Sequence, residues 1–482
     1  MKQVTIVGGG IGAMSSAVRL LNNGYKVRII EKESTLGGKV NIIQNNNARF
    51  DLTASIMMTP NIYTDIFKEC GRDYKDYFTM HKVKCLYNVY SSTKEKFKLY
   101  NDINETTKEL EKLQVGLSNE YLEFINISHK NYLISNRYFL NKPMKNISEI
   151  LNIETISNIK KIKILKNSYK YTRNIITNEF LIQLLLFQTM YIGINPYTNS
   201  SIYTLIPAIT QEYGLYHIQG GMYSYINALE KLIIELGGDI ILNKEVIKID
   251  SKTKEVKTKN RTYKSDIIVN NTDYMYTQRE LLENTNKNKE ASCSVFIIYL
   301  GLNTSFENLN IHNVYINKKQ RKSMNEVFSG KLSQNPDIYL YYPGNIDNTV
   351  VGNFKSIMNV VVRVPNLSYK NIKWDKQSIQ NYRNTIIKEL KNIEELENIE
   401  DHIEYENYLT PVDLKNKYNA YEGSAYGLSH KLSQSAIFRP NMVDKNTKGL
   451  YHIGSSVHPG NGVSVIIEGS KVLVNEIIKR EK

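Results

Sequence analysis

The first forty residues alternate between apolar runs and a cluster of glycines. Val4–Val7 is a short continuous apolar run, typical of a buried parallel strand, and the glycine-rich Gly8–Gly12 follows it. Met14–Asn23 carries apolar residues at helical spacing and stops at a glycine, and Lys26–Glu31 is a second strand pattern. The pattern predicts a strand, a tight turn, a helix and a second strand at the start of the chain.

Two later blocks are patterned in a similar way. Tyr225–Leu236 has the spacing of an amphipathic helix, and the strand patterns Asp239–Leu242 and Val246–Ile249 follow it. Near the end, a strand is predicted at Gly449–Ile453. It leads through a loop rich in Gly, Pro and Ser into a helix at Val463–Lys479.

Long segments without a glycine fingerprint separate these three blocks. We therefore expect an α/β fold in which residues 1–75, 215–275 and 425–482 form one discontinuous nucleotide-binding domain. The intervening residues 76–214 and 276–424 would form a second, α+β domain for the substrate.

Composition refines this prediction only slightly. The 482 residues suffice for two domains, and three cysteines are too few for a disulfide framework or a zinc site. The formal net charge of +14 permits two interpretations: attraction to a polyanion such as anionic lipid, or a compositional bias towards lysine. No zinc finger, RNP motif or basic zipper is present, so nucleic acid is not an expected partner.

Neither a signal peptide nor an apolar stretch of about 18 residues occurs, so a soluble or peripheral cytoplasmic protein is expected.

The glycine turn matches the dinucleotide-binding motif G-x-G-x-x-G/A, with Gly8, Gly10 and Ala13 at its three positions. Gly8 permits the tight turn, Gly10 lets the backbone approach a pyrophosphate, and the small Ala13 lets the helix pack closely on the strand. The helix N-terminus then offers N–H groups and a positive dipole to the phosphates.

An acid and a second glycine pair indicate which dinucleotide binds. Glu31, at the end of the second strand, is placed to accept hydrogen bonds from ribose hydroxyls, and its charge disfavours the 2′-phosphate of NADP. The pair in Leu36-Gly37-Gly38-Lys39, soon after this acid, favours FAD over NAD.

Further stretches narrow the comparison to one family of flavoproteins. They are Gly37-Gly38-Lys39, Phe50-Asp51, Pro60–Tyr63, Phe187–Pro196, Gly220–Tyr223, Leu409-Thr410-Pro411, Gly423–Leu428 and Gly454–Val463. With these stretches the chain resembles the carotenoid and phytoene desaturases over nearly its whole length, and within them the branch that acts on C30 precursors. The stretches 187–196 and 454–463 are the most specific, because general FAD-binding folds do not share them.

The resemblance implies an FAD-binding Rossmann-like domain of the glutathione-reductase and amine-oxidase type, joined to a discontinuous α+β substrate domain. It implies FAD as cofactor and an apolar isoprenoid substrate: a C30 precursor such as 4,4′-diapophytoene would be converted to diaponeurosporene- or diapolycopene-type products. Two alternatives stay open, a carotenoid oxygenase or isomerase on the same scaffold and a non-catalytic flavin- or lipid-binding relative. The residues expected at the cofactor are Val7, Gly8, Gly9, Gly10, Ile11, Gly12, Ala13, Glu31, Lys32, Gly38, Lys39, Thr53, Val246, Gly454, Ser455, Pro459, Gly462 and Val463.

The chain departs from the family pattern at three sites, which comprise four residues and are presumed flavin contacts. The family usually has glycine where Ala13 stands, glycine and then proline at Thr53 and the next residue, and proline where Ser464 stands. A β-branched residue such as Thr53 does not readily adopt a positive φ. Each departure alone is expected to be tolerated, and the departures together leave altered flavin affinity or an inactive relative as an alternative.

No catalytic constellation is apparent. His458 is a candidate because it lies in the loop expected to face the flavin and its pKa suits proton transfer, but ordering of the turn is the other interpretation. Asp51 is expected either to accept backbone N–H groups or to lie close to the flavin. No Ser/His/Asp triad, metal-binding cluster or P-loop is found, so no metal is expected.

A basic segment precedes an apolar helix pattern. Residues 155–178 contain no acid and lead into the apolar run Phe180–Phe187. This arrangement predicts contact with the anionic inner face of a membrane, where a carotene precursor would reside. A solvated basic face followed by a buried helix is the alternative. The basic residues of the segment are Lys160, Lys161, Lys163, Lys166, Lys170 and Arg173.

Overall fold

The structure is a computed structural model that describes residues 1–140, 157, 164–284 and 289–481. Its strands are β1 (Gln3–Val7), β2 (Lys26–Ile30), β3 (Ile42–Asn45), β4 (Ala48–Asp51), β5 (Met80–Lys82), β6 (Cys85–Ser91), β7 (Lys96–Tyr100), β8 (Tyr216–Ile218), β9 (Asp239–Ile241), β10 (Val246–Asp250), β11 (Glu255–Thr258), β12 (Thr262–Lys264), β13 (Ile267–Asn270), β14 (Ser294–Leu302), β15 (His312–Ile316), β16 (Ile338–Tyr341), β17 (Ser356–Val364), β18 (Ile403–Leu409) and β19 (Leu450–His452). Its helices of six residues or more are α1 (Ile11–Asn22), α2 (Pro60–Lys68), α3 (Ile103–Leu113), α4 (Leu117–Ser135), α5 (Ser168–Arg173), α6 (Glu179–Phe187), α7 (Leu205–Tyr213), α8 (Tyr223–Glu235), α9 (Gln320–Phe328), α10 (Lys376–Leu390), α11 (Pro411–Tyr418) and α12 (Val463–Arg480).

A parallel sheet with the order β19-β13-β1-β2-β9 contains the N-terminal strands. Its central strands are apolar and buried, and neighbouring strands run in the same direction throughout. Helix α1 connects β1 to β2 and packs against α12, so the first and last helices of the chain share one core. This is the Rossmann-like arrangement predicted from the glycine turn.

The predicted elements of this sheet lie close to the observed ones, with one informative difference. Helix α1 begins at Ile11 instead of Met14, because Gly10 has extended backbone and occupies the N-cap. Gly12 is therefore helical. A Cβ at this position would lie 2.7 Å from the Asn271 amide nitrogen and 3.0 Å from Ile466, so glycine permits the close packing.

A mixed sheet with the order β18-β14-β17-β16-β15-β6-β7 covers the other side of the cavity described below. Side chains alternate across its long central strands. Ile298 and Leu300 of β14 pack towards α10, whereas Val295 and Ile297 face the opposite side. The second face therefore supplies apolar wall for a binding site.

The apolar run Phe180–Phe187 forms helix α6 and is buried in the core with Phe97 and Leu99. The prediction that this helix contacts a membrane is therefore wrong, because its apolar faces are already covered by protein. Lys166, Lys170 and Arg173 are exposed, while Lys160, Lys161 and Lys163 lie outside the described residues. Within the described ranges, no helix is long and apolar enough to span a bilayer.

Candidate active site

A large cavity of about 770 Å³ extends from the carboxyl ends of the parallel strands to the mixed sheet. Its lining is mostly apolar. Seventeen of the eighteen residues expected at the cofactor line it, and so does His458. The exception is Ala13, which is fully buried in α1 and packs in the core, the role that its small size predicted.

The glycine turn presents the N-terminus of α1 to this cavity. Gly8 adopts a φ of +86°, which L side chains rarely reach, and this turn redirects the chain from β1 into the helix. Gly10 at the N-cap offers no side-chain acceptor to the first N–H groups of the helix. These N–H groups and the helix dipole make the turn suited to an anionic group such as a phosphate.

Glu31 lies just beyond β2, where its carboxylate is held by two backbone donors. The Gly9 N–H donates to Oε2 at 2.5 Å and the Glu33 N–H donates to Oε1 at 2.9 Å. Burial raises the pKa of this carboxyl group, and the backbone N–H donors oppose the rise. Each oxygen retains acceptor capacity for a hydroxyl donor.

Asn271, which motif reasoning missed, follows β13 and bridges the first and last segments of the parallel sheet. Its amide Nδ2 donates to the Ile453 carbonyl at 3.0 Å. Its buried Oδ1 lines the cavity beside Gly10 without a hydrogen-bond partner among the described residues. A buried acceptor left open at a cavity wall fits a ligand that brings its own donor.

The loop that follows β19 brings a second helix N-terminus to the cavity. Gly454, Gly460 and Gly462 adopt φ values of +130°, +138° and +125°, so the loop follows a path that other residues do not readily take. Gly462 is the N-cap of α12, and Val463 begins the helix as predicted. Two helix N-termini therefore face one cavity, which suits a ligand with more than one polar group along its length.

Lys39 and Asp273 connect three of the lining segments. The Lys39 ammonium donates to the Ala425 carbonyl at 2.8 Å, and the Ser456 hydroxyl donates to the Asp273 carboxylate at 2.8 Å. Burial lowers the pKa of Lys39, and the Asp273 charge opposes this change. Burial in turn raises the pKa of Asp273.

Arg439 holds the loop that follows β19 through hydrogen bonds to backbone carbonyls. Motif reasoning missed this residue as well. Its guanidinium donates to the carbonyls of Ser455 at 2.6 Å and Leu428 at 3.1 Å. Burial lowers its pKa to about 10. His430 lines the cavity nearby, and burial together with the Arg439 charge holds the pKa of this histidine well below its usual range.

Of the two candidates noted in the sequence, His458 lines the cavity and Asp51 does not. His458 is buried at the cavity wall, and its backbone N–H donates to the Pro440 carbonyl at 2.9 Å. Asp51 does not line the cavity; it accepts the Met222 N–H at 3.0 Å, which is the backbone role considered for it. Burial raises the pKa of Asp51 to about 7.

Ala13, Thr53 and Ser464, which depart from the family pattern, have no backbone strain, since none of them adopts a positive φ. Thr53 does not adopt a positive φ, and its hydroxyl donates to the Lys39 carbonyl at 2.7 Å. The expectation that threonine is unfavourable at this position is therefore wrong. Instead, Thr59 has a φ of +54°. Ser464 lies in the first turn of α12 and lines the cavity.

The family described as flavin containing amine oxidoreductase matches residues 14–467 of the chain. The chain belongs to the flavin-containing amine oxidoreductase family. Solved structures agree with this assignment at the level of the fold. An oxidoreductase from Methanosarcina mazei is 14% identical with a TM-score of 0.64, and the match covers 99% of this chain and 100% of the other. Putrescine oxidase bound to putrescine is 13% identical with a TM-score of 0.64 and 99% coverage of both chains.

A curated member of this family is much more similar. The 4,4′-diapophytoene desaturase (4,4′-diaponeurosporene-forming) of Staphylococcus aureus strain Newman is 32% identical over 495 residues, which cover 99% of each chain. The enzyme of the bovine strain RF122 / ET3-1 matches to the same extent. The predicted resemblance to carotenoid desaturases and the predicted fold class are thus confirmed.

Family membership makes the protein a flavin-dependent oxidoreductase. The cavity fits the dinucleotide form of flavin, because its lining includes two helix N-termini, a buried carboxylate and an amide oxygen that has no partner among the described residues. The cofactor is therefore FAD, as the sequence predicted.

Proposed function

We propose that the protein is an FAD-dependent desaturase that introduces conjugated double bonds into a C30 carotenoid precursor of the 4,4′-diapophytoene type. The observation that carries this proposal is the similarity to the S. aureus desaturase over 99% of both chains. The cavity supports it, since glycine-rich loops line one part and apolar side chains such as Ile206, Ile297 and Val361 line another. Such a wall suits a hydrocarbon chain.

We propose one orientation for FAD in the cavity. Glu31 would accept the ribose hydroxyls, the N-terminus of α1 would bind the pyrophosphate, and Val246 would lie near the adenine. The loop Gly454–Val463 would contact the isoalloxazine. Bound there, FAD supplies a two-electron oxidation of an allylic C–H bond. The protein aligns the substrate and excludes water from it.

The two sheets support the proposed division into domains. All strands of the parallel sheet come from residues 1–75, 215–275 and 425–482, and those of the seven-stranded sheet come from 76–214 and 276–424. We propose the first set as the FAD-binding domain and the second as the substrate domain.

We further propose that the protein lies peripherally on the anionic inner face of the cytoplasmic membrane and takes its water-insoluble substrate from there. The support now comes from the cavity mouth instead of α6. Leu432 and Phe438 line the cavity yet are 39% and 55% exposed. The Lys289 ammonium donates to the Phe438 carbonyl at 3.4 Å, so a cation lies beside this apolar rim. An apolar rim beside a cation suits a surface of anionic lipid.

Pigment analysis tests the desaturase proposal. The chain is expressed in a carotenoid-free host that makes 4,4′-diapophytoene, and the extracted hydrocarbons are separated and identified. Desaturated C30 polyenes are expected. Oxidised end groups would indicate an oxygenase and geometric isomers an isomerase. Flavin-loaded, folded protein that forms no polyene and shows no anaerobic bleaching with substrate would be a non-catalytic relative.

Vesicle flotation tests the membrane proposal. The protein should float with vesicles of phosphatidylglycerol more than with vesicles of phosphatidylcholine. Phe438→Ser should weaken this binding several-fold, whereas Ile234→Ser should not, because Ile234 is equally exposed but lies on α8 outside the cavity mouth. Equal loss of vesicle binding in both variants, or no loss in either, would contradict the proposal that the cavity mouth contacts lipid.

A further inference from the structure

A tyrosine hydroxyl interrupts the apolar wall of the mixed sheet. Tyr339 on β16 pairs in register with Val361 on β17, and Val361 pairs with Ile297 on β14. All three side chains line the cavity. The Tyr339 hydroxyl is therefore a polar group set in a row of side chains that would lie along a hydrocarbon substrate.

This hydroxyl is connected to a histidine behind the wall. The Tyr339 oxygen lies 2.8 Å from Nδ1 of His312 and 3.2 Å from the Ser55 hydroxyl. His312 is fully buried and does not line the cavity. Its ring stacks on the rings of Tyr339 and Tyr341 at centroid distances of 6.0 and 5.9 Å, which fixes its orientation.

Nδ1 of His312 can accept the Tyr339 hydroxyl when the ring proton is on Nε2. Its Nε2 has no hydrogen-bond partner in the described part of the chain. Burial, with a contribution from His217, lowers the pKa of His312 to about 3, so the imidazole is neutral before the reaction. Nε2 of His217 lies 2.8 Å from Oδ2 of Asp347, so this carboxylate pairs with His217 and not with His312. A neutral imidazole at the end of a hydrogen bond can accept one proton.

We propose that Tyr339 receives the proton that the substrate loses during desaturation, while its own proton passes to Nδ1 of His312. This inference rests on the proposed desaturase function. Formation of a C=C bond removes a hydride equivalent from one carbon, with FAD as the oxidant, and a proton from the adjacent carbon. The C–H bond electrons of the second carbon become the π bond. Its proton forms a bond to the Tyr339 oxygen as the original O–H bond breaks towards His312.

A phenol and a buried imidazole are weak bases, but this reaction needs only a weak one. A C–H bond next to an electron-deficient allylic carbon is strongly acidic, so the position of the acceptor matters more than its strength. Burial disfavours the imidazolium, and this returns the proton through Tyr339 to the cavity once the product has left. Tyr339 is thus the catalytic residue and His312 a positioning residue that acts through it.

Paired tyrosine variants test the proposal. Tyr339→Phe keeps the ring and removes the hydroxyl, and we expect kcat for polyene formation to fall about 100-fold with little change in KM or flavin content. Tyr342→Phe is the matched control, because Tyr342 is also fully buried, directly follows the same strand and packs in the core with α10 but does not line the cavity. It should keep near wild-type kcat.

An isotope effect separates a chemical role from a structural one. Substrate deuterated only at the carbons that lose the proton should show a larger primary isotope effect with Tyr339→Phe than with the wild type, because proton loss becomes rate-limiting. His312→Gln preserves a hydrogen-bonding group but cannot carry the proton, so it should show the same change and provides the test if Tyr339→Phe does not fold. Wild-type kcat and an unchanged isotope effect in either folded variant would overturn the relay. Absence of polyene with the wild type would instead refute the desaturase function.

Discussion

The guanidinium of Arg439 donates a 2.6 Å hydrogen bond to the carbonyl oxygen of Ser455, in the loop that carries the predicted flavin contacts. The same side chain also donates to the carbonyls of Leu428 at 3.1 Å and Ser429 at 3.3 Å. A buried cation thus holds two separate loops together through their backbones. The position of the loop at residues 454–463 depends on a residue outside it.

Replacement of Arg439 should loosen this loop. Lysine in Arg439→Lys has one compact ammonium in place of a planar fork and leaves buried carbonyls unpaired, at a cost of about 2 kcal/mol in the free energy of unfolding. The loosened loop should also lower the retention of FAD. Flavin absorbance after gel filtration and denaturant unfolding check both effects. Arg173→Lys, at an exposed arginine, is the control and should behave as wild type.

Replacement of Glu31 should weaken FAD binding more than it weakens the fold. Glu31→Gln leaves one acceptor oxygen for two backbone donors and the ribose hydroxyls, so we expect at least a tenfold rise in the Kd for FAD. Titration of the apoprotein by flavin fluorescence measures this change. Glu283→Gln, at an exposed glutamate paired with Lys248, should leave it unchanged. If both variants bind FAD like wild type, the carboxylate does not contact the ribose.

The part of the cavity that we propose holds the cofactor was predictable because its geometry is local. A strand, a glycine turn and a helix fix where Gly8, Gly10 and Glu31 lie relative to each other within about thirty residues, whatever the rest of the chain does. The loop at residues 454–463 could be placed because glycines before a helix carry the same physical requirement.

The remaining residues reach the cavity only through long-range pairing. Tyr339 faces it because β16 pairs with β17 in one register, and a slip of one residue would turn this side chain away. Asn271 had a usable signal, since a polar residue directly after an apolar strand tends to lie at the carboxyl edge of a parallel sheet. The run Phe180–Phe187 could not be assigned from its pattern, because a helix apolar on all sides suits either a lipid surface or a core.

The backbone at Thr53 and Thr59 predicts opposite effects of glycine. Thr59→Gly loses a hydrogen bond to the carbonyl of the adjacent Met58 but relieves a β-branched residue at φ +54°, so it should raise the free energy of unfolding by up to about 1 kcal/mol. Thr53→Gly removes a hydrogen bond to the Lys39 carbonyl and adds chain entropy, so it should lower this free energy by about 1–2 kcal/mol. It should not improve FAD retention, although glycine is the usual family residue there. Thermal unfolding of both holoproteins checks the two signs, and stabilisation by Thr53→Gly would mean that its hydroxyl contributes nothing.

Asp51 should make stability depend on pH. Burial raises its pKa to about 7 from an ordinary value of 3.8, so between these values the folded chain holds a proton that the unfolded chain has released. Stability therefore falls as the pH rises from about 4 to about 7. Asp51→Asn keeps an acceptor for the Met222 N–H and removes the titration, so its advantage over wild type should grow by a few kcal/mol across this range. Urea unfolding at pH 5 and pH 8 measures it, with Asp65→Asn, at an exposed acid, as the control that should show no such growth.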